Sequence, residues 1–139
     1  MTILVYLPYY NQERFFMVRN NYIKIRDGKV EALLDVLFYV KEKVVYAYAP
    51  ALDLVGYDYS EDGAKQSLNV VLEDFFRFGI QRNTLEKDLL EHGWVKEIRK
   101  KEEYEVPNIW AVVSNNKEIQ KLKEFNKRSF PFSSNIAAC

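Results

Sequence analysis

Apolar and polar positions along the first third of the chain follow the period of a strand. Ile3 to Leu7 form a short apolar run, and two β-rich runs flank Asp27-Gly28 within the stretch from Arg14 to Val40. That dipeptide supplies the positive φ angles of a tight hairpin. From Val30 onward Ala32, Leu34, Val36, Phe38 and Val40 share one face, and Leu33, Asp35, Leu37 and Tyr39 share the other, so one face is expected to be buried and the other half-covered. After the charged turn Lys41-Glu42-Lys43, a second strand places Val45, Ala47 and Ala49 on one side and Tyr46 and Tyr48 on the other. Pro50 cannot donate to a ladder and should end this strand or lie on an edge. A third strand, Leu52 to Tyr57, is expected to carry Leu52 and Leu54 into the core and to close at Gly56.

Near Ser60 the period changes. Ser60 is a good N-cap, and Glu61 and Asp62 suit the positive end of a helix dipole. Ala64, Leu68, Val71, Leu72, Phe75 and Gly79 then recur at helical spacing and predict a core-facing stripe. A second, shorter helix follows. Thr84 can cap it, Gly93 suits the left-handed position past its end, and Trp94 should pack back on Leu89. Beyond it, residues 95–106 suit a charged hairpin or edge strand, Pro107-Asn108 a turn, and residues 109–113 a short strand. Ser114 or Asn115 caps a helix containing Ile119, Leu122 and Phe125. Residues 126–139 have no clear period and read as a loosely held or partner-held end.

Size and charge narrow the function classes. A chain of 139 residues, 48% hydrophobic, fits one ordinary domain. Twenty basic and twenty acidic side chains cancel, so no long-range field draws the whole molecule to nucleic acid or to an anionic membrane. The one local basic cluster, Lys117, Lys121, Lys123, Lys127 and Arg128 against Glu118 and Glu124, reads as the solvated side of a helix. One cysteine, Cys139, excludes an internal disulfide framework and a cysteine metal cage, and a cytoplasmic location is the default expectation. The start of the chain lacks a basic leading segment and is interrupted by Pro8, so it reads as a strand rather than a signal peptide, and no stretch is long enough to span a bilayer.

Residues with catalytic potential are few. The one histidine, His92, sits in the last turn of the second helix with no nucleophile context, and the five glycines are scattered singly, so no phosphate-cradling loop is present. No cofactor site is expected. The acidic set Asp53, Asp58, Glu61 and Asp62 clusters around the strand-to-helix join, and such carboxylates can hold divalent metal for phosphodiester hydrolysis. Helix capping and the dipole already account for Glu61 and Asp62, which makes a metal-dependent nuclease the alternative reading rather than the first.

Residues 30 to 95 resemble the HicB-like antitoxin family. The matching positions are Tyr46, Ala47, Pro50, Leu52, Gly56, Ala64 and Leu68, within a hairpin, a third strand reaching a glycine, and a helix with an acidic start. The resemblance implies an α+β domain, an antiparallel sheet of a hairpin plus a third strand packed against one long helix, similar to a truncated ribonuclease-H-like fold without nuclease activity. Here it would carry extra N-terminal strands and a C-terminal helix. The family implies a bacterial toxin–antitoxin system in which the domain covers the active site of HicA, a small ribonuclease toxin. After Trp94 the paired helices of a helix-turn-helix or ribbon-helix-helix are not found, so DNA binding is not expected. The expectation is therefore a protein-binding module, with no catalytic or metal residue. Tyr46, Tyr48, Tyr57 and Tyr59 would offer rigid contact area, and Asp58, Glu61 and Asp62 would complement a basic partner. A homodimer through a free strand edge, as in an orphan self-associating domain, is a further expectation.

Overall fold

The computed structural model describes residues 21–96, 103–105 and 126–136. They form an α+β arrangement in the order β1 (Tyr22–Arg26), β2 (Lys29–Lys41), β3 (Val44–Ala49), β4 (Leu54–Asp58), α1 (Glu61–Gln81), α2 (Leu85–Glu91), β5 (Val95–Lys96), β6 (Glu103–Glu105) and β7 (Asn126–Asn135). All strand pairings are antiparallel. The strand expected at residues 3–7, the strand at 109–113, the helix containing Ile119, Leu122 and Phe125, and Cys139 lie outside the described residues.

Both hairpin turns are two residues long with positive φ throughout: 51° at Asp27 and 77° at Gly28, then 52° at Glu42 and 68° at Lys43. Such a turn matches the twist of the flanking strands, and it fixes register. The pairs Arg26↔Lys29 and Lys41↔Val44 close the two turns.

The long strand β2 organises the sheet. Its residues 29–38 pair with β7, residues 29–33 also pair with β1, and residues 37–41 pair with β3. A strand has two edges, so β1 and β3 share the one opposite β7, lying end to end along it. This explains the abrupt end of β3. Past Ala49 the edge is taken by Asn21, whose Oδ1 accepts from the Asp35 backbone N–H at 2.8 Å while its Nδ2 donates to the Asp35 carboxylate at 3.0 Å. The chain turns away at Pro50 and returns as β4 on the outer side of β3. Asp53 takes a φ of 55° in this corner, a conformation that Asp tolerates.

The third strand thus runs Leu54–Asp58 rather than 52–57, and Leu52 is buried from the turn. Gly56 lies in the middle of β4 rather than at its end. A Cβ there would overlap the backbone of Leu68, so the glycine is what lets α1 settle directly on the strand.

One face of the sheet and α1 make the core. Val30, Leu34 and Val36 are fully buried, as are Ala47 and Ala49, against Ala64, Leu68, Leu72 and Phe76. Val40, expected on the same buried face, is exposed because it lies beyond the end of β7. The helical stripe is rotated by one position from its expected C-terminal half: Phe76 is buried, and Val71 and Phe75 are only half-covered. Phe76 turns inward to stack on Phe132, with ring centroids 5.6 Å apart.

Phe132 belongs to the segment expected to be a loosely held tail, which is instead a ten-residue strand. Phe130 and Phe132 alternate inward from it and Ile136 follows, all buried. The missing N–H of Pro131 is tolerated because β7 has no other ladder partner among the described residues.

At the far end, α2 closes with a glycine-centred cap. Gly93, φ 89°, donates to the Leu90 carbonyl at 3.1 Å, and Trp94 donates to that of Leu89 at 2.9 Å. Trp94 and Leu89 are both buried, and the Trp94 Nε1–H donates to the Ala51 carbonyl at 2.8 Å, tying α2 to the Pro50 corner. Thr84 precedes α2 but makes no side-chain capping bond. Within residues 95–106, expected as a charged hairpin or edge strand, β5 and β6 pair antiparallel. Among the described residues no helix is long and apolar enough to cross a membrane.

Candidate functional site

The strand-to-helix join is built by three neighbouring caps. The Ser60 Oγ accepts from the Gly63 N–H at 3.0 Å, as expected of an N-cap. The Asp58 Oδ1 accepts from the Tyr59 N–H at 2.8 Å. Its other oxygen occupies the space a side chain would need at position 63, which is why a glycine follows the two acids. The Ser67 Oγ accepts from the Tyr57 N–H at 3.1 Å. That bond uses an outward-facing donor of β4, the end strand on its side of the sheet, and so blunts that edge.

Of the expected contact residues, Tyr57 and Tyr59 are exposed, 61% and 82%, and Asp58 and Asp62 are exposed beside them. Tyr46 is half-buried. The two-residue turn at 42–43 places it opposite Tyr39, and the β3–β4 register places it opposite Tyr57. The three rings form a row across three strands: Tyr39 and Tyr46 stack at 5.1 Å with planes 13° apart, and Tyr46 and Tyr57 lie 5.9 Å apart at 35°. Tyr39 was not among the expected site residues, yet counting outward from the turn pairs it with Tyr46.

Tyr48 does not belong to the surface. It is buried, and its hydroxyl donates to Asp53 Oδ1 at 2.8 Å. Its place two pairs inward from Tyr46, beside the fully covered Leu37, removes it from solvent.

Glu61 is also engaged rather than open. Both its oxygens accept from the Arg128 guanidinium, one at 3.1 Å, and Lys65 lies 3.6 Å away. The Arg128 hydrogen bond holds the Glu61 carboxyl below the usual carboxylate range, and the same bond raises Arg128. Arg128 also lies over the Phe38 ring, 5.1 Å from its centroid, with Lys65 at 5.9 Å. Neither Arg128 nor Phe38 was legible as part of this site, because they meet Glu61 only through the β2–β7 ladder.

The four acids do not converge. Asp53 and Asp58 stand at opposite ends of β4, a separation of about 16 Å at the rise of a strand. Asp53 is bound to Tyr48, Asp58 to the Tyr59 backbone and Glu61 to Arg128. Among the described residues no group of three His, Cys, Asp or Glu side chains is arranged to hold a metal ion. His92 caps its own helix, its Nδ1 donating to the Asp88 carbonyl at 2.8 Å. A further polar knot joins Glu86, Lys96 and Tyr104. The Glu86 carboxylate accepts from Lys96 at 2.8 Å and from the Tyr104 hydroxyl at 3.2 Å. The Lys96 bond lowers Glu86, and burial pushes Tyr104 up. This knot fastens α2 to β5 and β6.

Neither a protein-family model, nor a curated protein, nor a solved structure matches this chain.

Proposed function

We propose that the domain is a protein-binding module that docks a small basic protein on the corner from Tyr57 to Asp62. The reading rests on the pairing there of two large exposed rings with two exposed carboxylates. Tyr is among the residues that most often anchor interfaces, since it brings area at small entropic cost, and acids at the rim steer a cationic partner. The resemblance of residues 30 to 95 to the HicB-like antitoxins suggests the finer form of this proposal, a HicA-like ribonuclease toxin inhibited by occlusion of its active site.

The test is affinity co-purification of the tagged full chain from its native cells, followed by ribonuclease assay of the bound protein with and without this chain. A stoichiometric small basic protein is expected, retained by wild type and weakened by roughly 2 kcal/mol or more in Tyr57→Ala/Tyr59→Ala. Asp58→Asn/Asp62→Asn should weaken association less and flatten its salt dependence. A partner indifferent to all four changes would overturn the assignment of the surface. A partner whose ribonuclease activity persists in the complex would overturn the inhibitory role.

A further inference from the structure

Resting on the partner-binding reading, one feature of the same corner says what the partner brings to it. Glu61 begins α1, and both of its oxygens are taken by the fork of a single guanidinium. The central carbon of that group lies over the Phe38 ring, 5.1 Å from its centroid. A carboxylate matched to two N–H donors favours arginine over lysine, because an ammonium cannot fork; Lys65 reaches the same groups, 3.6 Å from Glu61 and 5.9 Å from the Phe38 centroid, as a point charge. The occupant, Arg128, comes from the edge strand β7, 67 residues away in sequence. It is held at the surface, with 42% of its side chain exposed and Glu61 at 44%. Exposed ion pairs of this kind contribute little to folding. Next to the pair, Asp58 and Asp62 are exposed and have no cation bound among the described residues.

We propose that Phe38 and Glu61 form an arginine receptor, that Arg128 is its resident occupant, and that an arginine of the basic partner docks by displacing Arg128. Asp58 and Asp62 then attract the incoming cation, Tyr57 and Tyr59 supply the contact area, and Arg128 sets how tightly a competitor must bind. The exchange is an equilibrium between two guanidinium groups for one site, so removing the resident strengthens the visitor.

Hexa-arginine and hexalysine peptides serve as probes, titrated into the isotopically labelled full chain at physiological ionic strength. Amide shifts of residues 57–65 and the Nε–Hε signal of Arg128 are followed. In the wild type, hexa-arginine is expected to move both sets together, with the Arg128 signal shifting toward that of a solvent-exposed arginine. Arg128→Ala should bind hexa-arginine at least about threefold more tightly, the scale expected from freeing one charge-assisted fork. Lys127→Ala changes the net charge equally one residue away, where the side chain lies 3.8 Å from Asp35, and should change binding by less than about twofold. Arg128→Lys, which keeps a cation on β7, should fall between wild type and Arg128→Ala. Phe38→Leu should reduce the preference for hexa-arginine over hexalysine. Equal binding of the two peptides, equal effects of Arg128→Ala and Lys127→Ala, or an Arg128 signal unmoved at saturation would each overturn the receptor. The partner-binding reading would survive those results if the Tyr57/Tyr59 change still released the co-purified protein.

Discussion

The two faces of the sheet are built by different physics. On the α1 side, contact depends on shape: Val30, Leu34 and Val36 lie without exposure against Leu68, Leu72 and Phe76, and at Gly56 the helix backbone approaches too closely for any side chain. On the other side three tyrosine rings lean on one another across β2, β3 and β4, and exposure rises along the row to Tyr57. The first face tolerates almost no change in volume, as in any close-packed interior. The second has slack, and slack is what a surface needs to receive another molecule. The Tyr57–Asp62 corner lies where the tyrosine row meets the start of α1, which the core holds rigid.

Substitutions of graded effect test this contrast. Phe76→Ala should be the most costly, about 3–5 kcal/mol by urea denaturation, since it removes a fully buried ring and its stacking partner for Phe132. Gly56→Ala should cost about 1–3 kcal/mol by forcing α1 away from β4, despite adding one methyl group. If it proves neutral, the close approach is not what fixes the helix. On the opposite face, a double-mutant cycle between Tyr39→Ala and Tyr46→Ala should give a coupling of only about 0.5–1.5 kcal/mol. A coupling as large as the loss at Phe76 would make the two faces alike.

Smaller still is a gain. Glu42 and Lys43 both hold positive φ without a glycine, so Asn-Gly at these positions should stabilise the chain by about 1 kcal/mol while leaving the Lys41↔Val44 register unchanged.

The least effect concerns acid. The Glu61 carboxyl titrates lower in the folded chain than in the unfolded one, so its contribution is present above the ordinary glutamate range, near pH 4.3, and fades as pH falls through the lowered value. Glu61→Gln should flatten the fall in stability below about pH 5 relative to wild type. An unchanged slope would show that the Arg128 pair does not contribute to folding.

Much of the local structure was legible. Asp27-Gly28, Pro50, Ser60 and Gly93 each act through their own backbone chemistry, and each punctuates the chain as read: a two-residue hairpin turn, a strand end, an N-cap and a left-handed helix end. The alternation of β2 and β3 likewise assigned their faces, apart from Val40, which is exposed, and Leu37 and Tyr48, which are buried. The misreadings share a cause. Residues 126–135 hold only two inward rings around a proline, too weak a period to announce a strand until β2 offers an edge thirteen residues long. Val71 and Phe75 were expected inside, but the ring of Phe132 draws in Phe76.

At the candidate site the division is similar. Tyr57, Asp58, Tyr59 and Asp62 are neighbours in sequence, and their exposure follows from lying at a join. Tyr48 has the same residue type and strand parity as Tyr46, and only the third dimension buries it. Glu61 could be read as a dipole-favoured acid but not as half of an ion pair, because its partner arrives from 67 residues away. Whatever depends on one residue's φ, its cap or its period can be read along the chain. Which carboxylates are separated, which tyrosine is open and which arginine stands on Glu61 follow from packing. Those outcomes depend on distances between segments that meet only when the sheet closes around β2.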